Sequence, residues 1–273
     1  MSLIEAALAK MQRRESARGN EPRTSSRRID GRDANKAAIV AATARAFAPA
    51  VLDNEAMERN CVLPGVSDHA AMRAYKILRT RLLQRMTANQ WHSLAITSPA
   101  SEQGKTLTAI NLAVALAQDP NTWVFLVDLD LQRPQVGNQM GMRVERGLNN
   151  YLLGTAELAE VIYDPGIPRL SVIPNLRAFE HSSELLGGPR MLELLRFLDA
   201  EVPRRVVIFD MPPLLLADDV LTFAPHVDGV LLVVAEGVTT RATVQKSKEL
   251  LAEMNLMGVV LNRSSERDDT GYY

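Results

Sequence analysis

Ser98-Pro-Ala-Ser-Glu-Gln-Gly104-Lys105-Thr106 lies between two apolar runs of different rhythm. Before it, residues 93–97 (SLAIT) read as a short strand. After it, residues 106–118 repeat apolar side chains at helical spacing. A Gly-Lys-Thr that follows a strand and opens a helix has a physical meaning. Backbone N–H groups of the loop and of the first helical turn converge there, and the helix dipole favours an anion. A chain of phosphates suits that cradle, which takes in Ser101, Glu102, Gln103, Gly104, Lys105, Thr106 and Leu107. Lys105 reaches the terminal phosphates and Thr106 offers its hydroxyl to Mg²⁺. Position 99 is Pro where the strict pattern has Gly, and position 102 is Glu where many such loops have Gly. A carboxylate at 102 is electrostatically awkward unless it points outward.

Outward from the loop the same alternation continues. Residues 123–128 (WVFLVD), 170–174, 206–210 (VVIFD), 229–235 (GVLLVVA) and 257–262 read as strands. Residues 68–86, 183–200 and 240–254 read as helices between them. Continuous β-branched strands alternating with amphipathic helices indicate a parallel sheet covered on both faces. The fold class is therefore α/β, a doubly wound, mostly parallel sheet.

Ligands of such sheets bind beyond the carboxyl ends of the strands. Two strands end there in aspartate. One continues as Leu-Val-Asp128-Leu-Asp130-Leu-Gln-Arg133-Pro134, the other as Phe-Asp210-Met-Pro212-Pro213. A hard cation that keeps its waters takes oxygen ligands, so carboxylates at two strand tips suit Mg²⁺. An aspartate at a strand end also caps turns, and each motif alone carries that plainer reading.

Composition narrows the function classes. The chain has 273 residues, 47% hydrophobic and 23% charged, with a net charge of −1. That is an ordinary globular balance. It offers no general positive field for nucleic acid. Cys61 is the only cysteine, which rules out an internal disulfide or a cysteine metal cage. The four histidines, His69, His92, His181 and His226, form no zinc pair. No apolar run approaches the ~18 residues that cross a bilayer. The start, MSLIEAALAKMQRRE, reverses the charge order of a signal peptide. The chain reads as cytoplasmic.

Residues 2–14 carry a capping-box start and an apolar stripe, a short amphipathic helix that docks on its own domain or on a partner. Residues 13–36 are too polar to offset ordering entropy and read as a linker. A helical pattern returns around 36–48. The division expected is an N-terminal extension over 1–66, short helix plus flexible linker, a nucleotide-binding domain over 67–265, and a polar tail over 266–273 that ends in Tyr272 and Tyr273.

These motifs resemble the bacterial tyrosine kinases, whose catalytic domain is a P-loop NTPase of the deviant-Walker type. The resemblance runs from about 74 to 265 and rests on Gly104-Lys105-Thr106, LVDLDLQRP (Asp128, Asp130, Arg133) and FDMPP (Asp210, Pro212, Pro213). Softer matches are LTAINLAVALA, GLNNYLLG, SSELL and VVLNR. The branch most resembled is the exopolysaccharide autokinases found with exosortase systems. The resemblance implies ATP and Mg²⁺ as cofactors and Lys105, Asp128, Asp130 and Asp210 as catalytic residues. Thr106, Asp130 and Asp210 order the metal, Asp128 is the base for a tyrosine hydroxyl, and Asn262 contacts adenine with Arg133 in the nucleotide site. Tyr272 and Tyr273 are the phosphoacceptors. It further implies a homo-oligomer, a membrane-anchored polysaccharide co-polymerase as activator at the inner membrane, and a cognate tyrosine phosphatase. The loop departs from the family's Pro-Gly-Glu before Gly104, reading Ser-Glu-Gln. Arg73, Lys76 and Arg79 stand where the family's oligomerisation helix has Glu, Arg and Arg. Two other readings share the fold: a partitioning-type ATPase switch, and a scaffold that binds nucleotide without transferring phosphate.

Overall fold

The computed structural model describes residues 47–63, 69–179, 182–200 and 204–264. The helix read over 2–14, the linker after it, most of the 36–48 pattern and the tail with Tyr272 and Tyr273 lie outside these residues.

The strands are β1 (Ala48–Pro49), β2 (Val51–Leu52), β3 (Ser93–Thr97), β4 (Trp123–Asp128), β5 (Met142–Arg143), β6 (Tyr163–Asp164), β7 (Leu170–Ile173), β8 (Arg205–Asp210), β9 (Gly229–Ala235) and β10 (Leu256–Asn262). Eight of them form one sheet in the order β1-β6-β7-β4-β8-β3-β9-β10, while β2 pairs β5 apart from it. Every pairing from β7 to β10 is parallel. Only the β6–β7 contact is antiparallel in that sheet, at its short-stranded edge.

The connection from β3 to β4 runs one way across the sheet, and those from β7 to β8 and β8 to β9 run the other way. Right-handed crossovers then put the helix Lys105–Ala117 on one face and Pro189–Ala200 on the other. Side-chain alternation agrees. Leu94, Ile96, Val124, Leu126, Val206, Ile208, Leu231 and Val233 join a core cluster with Ile110, Ala113 and Leu116 of the first helix. Their neighbours in sequence face the other way: Phe125 meets Phe197 edge-on, and Phe209 meets Phe223. The sheet is doubly wound as expected. Its strands lack polar alternation because both faces are buried.

The helix His69–Asn89 lies over Lys105–Ala117, with Leu82 and Met86 in the core cluster. Arg79 Nη1 donates to the Ala115 carbonyl at 3.1 Å, closing the C-terminal end of the phosphate-loop helix. A guanidinium there meets unpaired carbonyls and the negative end of the dipole.

Two sequence expectations change. The helix read over 183–200 is two helices, Ser182–Leu186 and Pro189–Ala200. Gly187 and Gly188 end the first, and Pro189 opens the second, where its missing N–H costs nothing. The folded unit also begins well before residue 67. Ala48 pairs Tyr163, and the helix Asn54–Arg59, capped by Asp53, buries Met57. Val62 and Leu63 enter the core, the latter through its N–H to Asn111 Oδ1 at 2.8 Å. Two prolines and short apolar runs hid this segment.

Candidate active site

Strand β8 lies between β3 and β4, so the phosphate loop after β3 and the two acidic strand ends share one corner of the sheet. Asp128 and Asp210 are register partners. Backbone bonds tie the three segments together. Met211 N donates to Ile96 O at 2.9 Å, Leu129 N to Asp210 O at 2.9 Å and Leu214 N to Ser98 O at 2.8 Å. The Thr97 hydroxyl donates to Pro212 O at 2.7 Å. The Phe-Asp-Met-Pro-Pro segment is thus stitched to the base of the phosphate loop, which its sequence did not reveal.

Lys105, Asp128, Asp130 and Asp210 are all buried. Lys105 Nζ lies 2.8 Å from Asp130 Oδ2 and 3.5 Å from Asp210 Oδ1. The Thr106 hydroxyl donates to Asp210 Oδ2 at 2.6 Å. Burial works to lower the Lys105 pKa, but Asp210 and then Asp130 hold its proton on, and the balance is upward. Asp210 is raised because burial outweighs the pull of Lys105 and the Thr106 hydroxyl. Asp128 is raised well above the ordinary carboxylate range, by burial first and by Asp210 second, against the Val136 amide.

Asp128 also does local work. Its Oδ2 accepts the N–H groups of Gln135 at 3.1 Å and Val136 at 3.0 Å, and its Oδ1 accepts Asp130 N at 3.3 Å. It therefore braces the turn that carries Asp130. Asp130 Oδ1 accepts Arg133 N at 2.9 Å, while the Arg133 side chain is exposed.

The loop itself takes the conformation a phosphate cradle needs. Gly104, the residue before the helix, has φ +89°. Glu102 has φ +61°, a left-handed conformation that favours glycine, and its side chain is exposed. Exposure lets solvent and salt screen the carboxylate, which lessens the electrostatic objection to it at this position. Ser101 and Leu107 are half-buried at the two ends of the loop and Gln103 is buried. Asn262 meets the loop, with Nδ2 3.0 Å from Gln103 O. Sequence reasoning missed its neighbour Arg263, whose Nη2 lies 2.6 Å from Glu102 O. It also missed Gln132, whose amide lies 3.5 Å from the buried Asp219.

Among the described residues no group of three or more His, Cys, Asp or Glu is placed to hold a metal by itself. The donors here are two carboxylates and a hydroxyl. That is the hard-oxygen set Mg²⁺ uses when phosphate oxygens and water complete its shell, and it fits.

Residues 94–272 match the CobQ/CobB/MinD/ParA nucleotide binding domain. Tyrosine-protein kinase YwqD of Bacillus subtilis (strain 168) is 30% identical over 221 residues, which cover 80% of this chain and 92% of YwqD. The chain belongs to the bacterial tyrosine kinases. Within this family, tyrosine-protein kinase etk of Escherichia coli (strain K12) is 33% identical over 205 residues, 74% of this chain and 28% of etk. The chain thus spans little more than a quarter of etk. The solved kinase domain of etk matches with a TM-score of 0.64 at 32% identity, covering 74% of this chain and 80% of that one. The chimerical protein CapA2B2 matches with a TM-score of 0.67 at 26% identity, covering 83% and 98%.

Proposed function

We propose that the chain is an ATP-dependent protein-tyrosine kinase that phosphorylates Tyr272 and Tyr273 of its own tail, chiefly on a neighbouring copy. The observation that carries this is the convergence of Lys105, Thr106, Asp130 and Asp210 within hydrogen-bond reach at the mouth of the phosphate loop. Membership of the tyrosine-kinase family supports the choice of reaction.

Phosphoryl transfer asks the protein to position reactants and neutralise developing charge. Loop amides and the Lys105 ammonium draw charge from the β/γ bridge of ATP. Lys105 must then leave Asp130, and Asp130, Asp210 and Thr106 are the residues that would hold Mg²⁺. Mg²⁺, when bound, would supply positive charge to offset the charge developing on the phosphates. The tyrosine oxygen bonds to the γ-phosphorus as the bond to the ADP oxygen breaks, and the phenol proton goes to a carboxylate. Asp128 is that carboxylate. Burial raises its affinity for a proton, and Oδ1, with its single long bond to Asp130 N, is the oxygen left to take one. Asn262 reaches the adenine end of the site from β10, and Arg133 lies on the exposed rim.

The kinase works as a homo-oligomer at the inner face of the membrane. It is activated there by a membrane-anchored polysaccharide co-polymerase and reversed by a cognate tyrosine phosphatase, and it regulates export of a surface polysaccharide. No helix among the described residues is long and apolar enough to cross a membrane.

Intact-mass analysis after incubation with ATP and Mg²⁺ tests the reading, beside Lys105→Met and a chain ending at Gly271. A phosphate gain in the wild type is expected, absent from Lys105→Met and lost without the tail. No gain under conditions where ATP binds would replace the kinase with a nucleotide switch.

A further inference from the structure

Two contacts from the far end of the chain hold the phosphate loop. Arg263 Nη2 donates to the Glu102 carbonyl at 2.6 Å, and Asn262 Nδ2 donates to the Gln103 carbonyl at 3.0 Å. The Asn262 amide is itself steadied, since its Oδ1 accepts Arg263 N at 2.9 Å. Gly104 makes room for this arrangement: a Cβ there would stand 2.0 Å from Asn262 Nδ2.

The direction of these bonds matters more than their number. In a planar trans peptide the N–H points opposite to the C=O. A Glu102 carbonyl turned to Arg263 therefore turns the Gln103 N–H away from β10. A Gln103 carbonyl turned to Asn262 does the same for the Gly104 N–H. Two carbonyl dipoles that would repel an anion are tied down on the outer side of the loop. Two N–H donors are left on the side of the loop away from β10, free to serve an anion there. Glu102 has φ +61°, which a non-glycine residue holds only where its surroundings enforce it. The guanidinium on its carbonyl supplies that enforcement.

The geometry points to Arg263 as a positioning residue for phosphate binding, acting with Asn262 as a clamp on the carbonyls of Glu102 and Gln103. It acts through the loop and needs no contact with the nucleotide. The inference rests on the reading of this loop as the nucleotide site.

Calorimetric titration of the full chain with MgADP and MgATP tests it. Arg263→Ala is expected to weaken both nucleotides about tenfold, the scale of one charged hydrogen bond. Its melting temperature should stay within about 2 °C of wild type, since the residue is exposed. Arg263→Lys, which keeps a cationic donor, is expected to recover more than half of the loss. Arg263→Gln, too short to reach, should lose as much as alanine and serves if alanine unfolds the protein. Equal affinities in wild type and Arg263→Ala, or no recovery with lysine, would overturn the clamp and leave the nucleotide site standing. A wild type that binds neither nucleotide overturns the site itself, and the clamp with it.

Discussion

The Lys105 ammonium rests 2.8 Å from Asp130 Oδ2, so the group we propose for a phosphate is held by one we propose for a metal. On that proposal each occupies the other's ligand position, and the two must separate before either can act.

Nucleotide binding should therefore depend on the metal. ATP alone draws Lys105 off and leaves Asp130 and Asp210 buried without a cation, which is costly. MgATP is expected to bind at least about tenfold more tightly than ATP in EDTA. Calorimetry in the two buffers checks this. Equal affinities would mean that Lys105 stays paired with Asp130 in the complex.

Asp128 should leave a mark on stability against pH. Its folded-state pKa is raised well above the ordinary value by burial and by Asp210. A raised carboxyl contributes stability that is fully present below its unfolded pKa of about 3.9 and is lost as pH rises through the folded value. The window thus lies above the normal carboxylate range. Thermal unfolding without nucleotide, from about pH 5 to pH 8, should show wild-type stability falling more steeply with rising pH than that of Asp128→Asn. Parallel curves would contradict the assignment.

Glu102→Gly should help on two counts. It removes a left-handed non-glycine residue, with a net gain of up to about 1 kcal/mol after the entropy of glycine is counted. It also removes a negative charge near the phosphates, so nucleotide affinity should rise by about two- to threefold at low salt. Melting curves and titrations give the two readouts separately.

Arg79→Ala should lower stability by about 0.5–1 kcal/mol by uncapping the phosphate-loop helix. Denaturant unfolding measures it. A lysine at 79, with one compact charge, should restore only part of the loss.

The sequence made the central sheet legible because its strands are buried on both faces. Runs such as Val206–Ile208 and Gly229–Ala235 have no other use for so many β-branched residues in a row. The phosphate loop and both acidic strand ends were legible for a related reason, since each follows such a run. The pairing of Asp128 with Asp210 needed the strand order, which local pattern does not carry. The contacts of Asn262 and Arg263 join residues about 160 positions apart, and nothing in VVLNR marks which carbonyls they will meet. Asp128 shows a subtler limit. Its motif marked a candidate base, but its bonds to Gln135 and Val136 are those of a structural brace, and one side chain holds both offices.

Two buried carboxylates, Asp130 and Asp210, face a single ammonium in this corner of the sheet, with Asp128 buried beside them. The empty protein thus keeps its least comfortable charges where its ligand arrives. Any cation-bearing nucleotide that relieves them is a folding ligand as well as a substrate, and it stabilises the native state by an amount that grows as the logarithm of its concentration over its dissociation constant. The free protein is therefore expected to melt at a lower temperature than the protein saturated with MgATP.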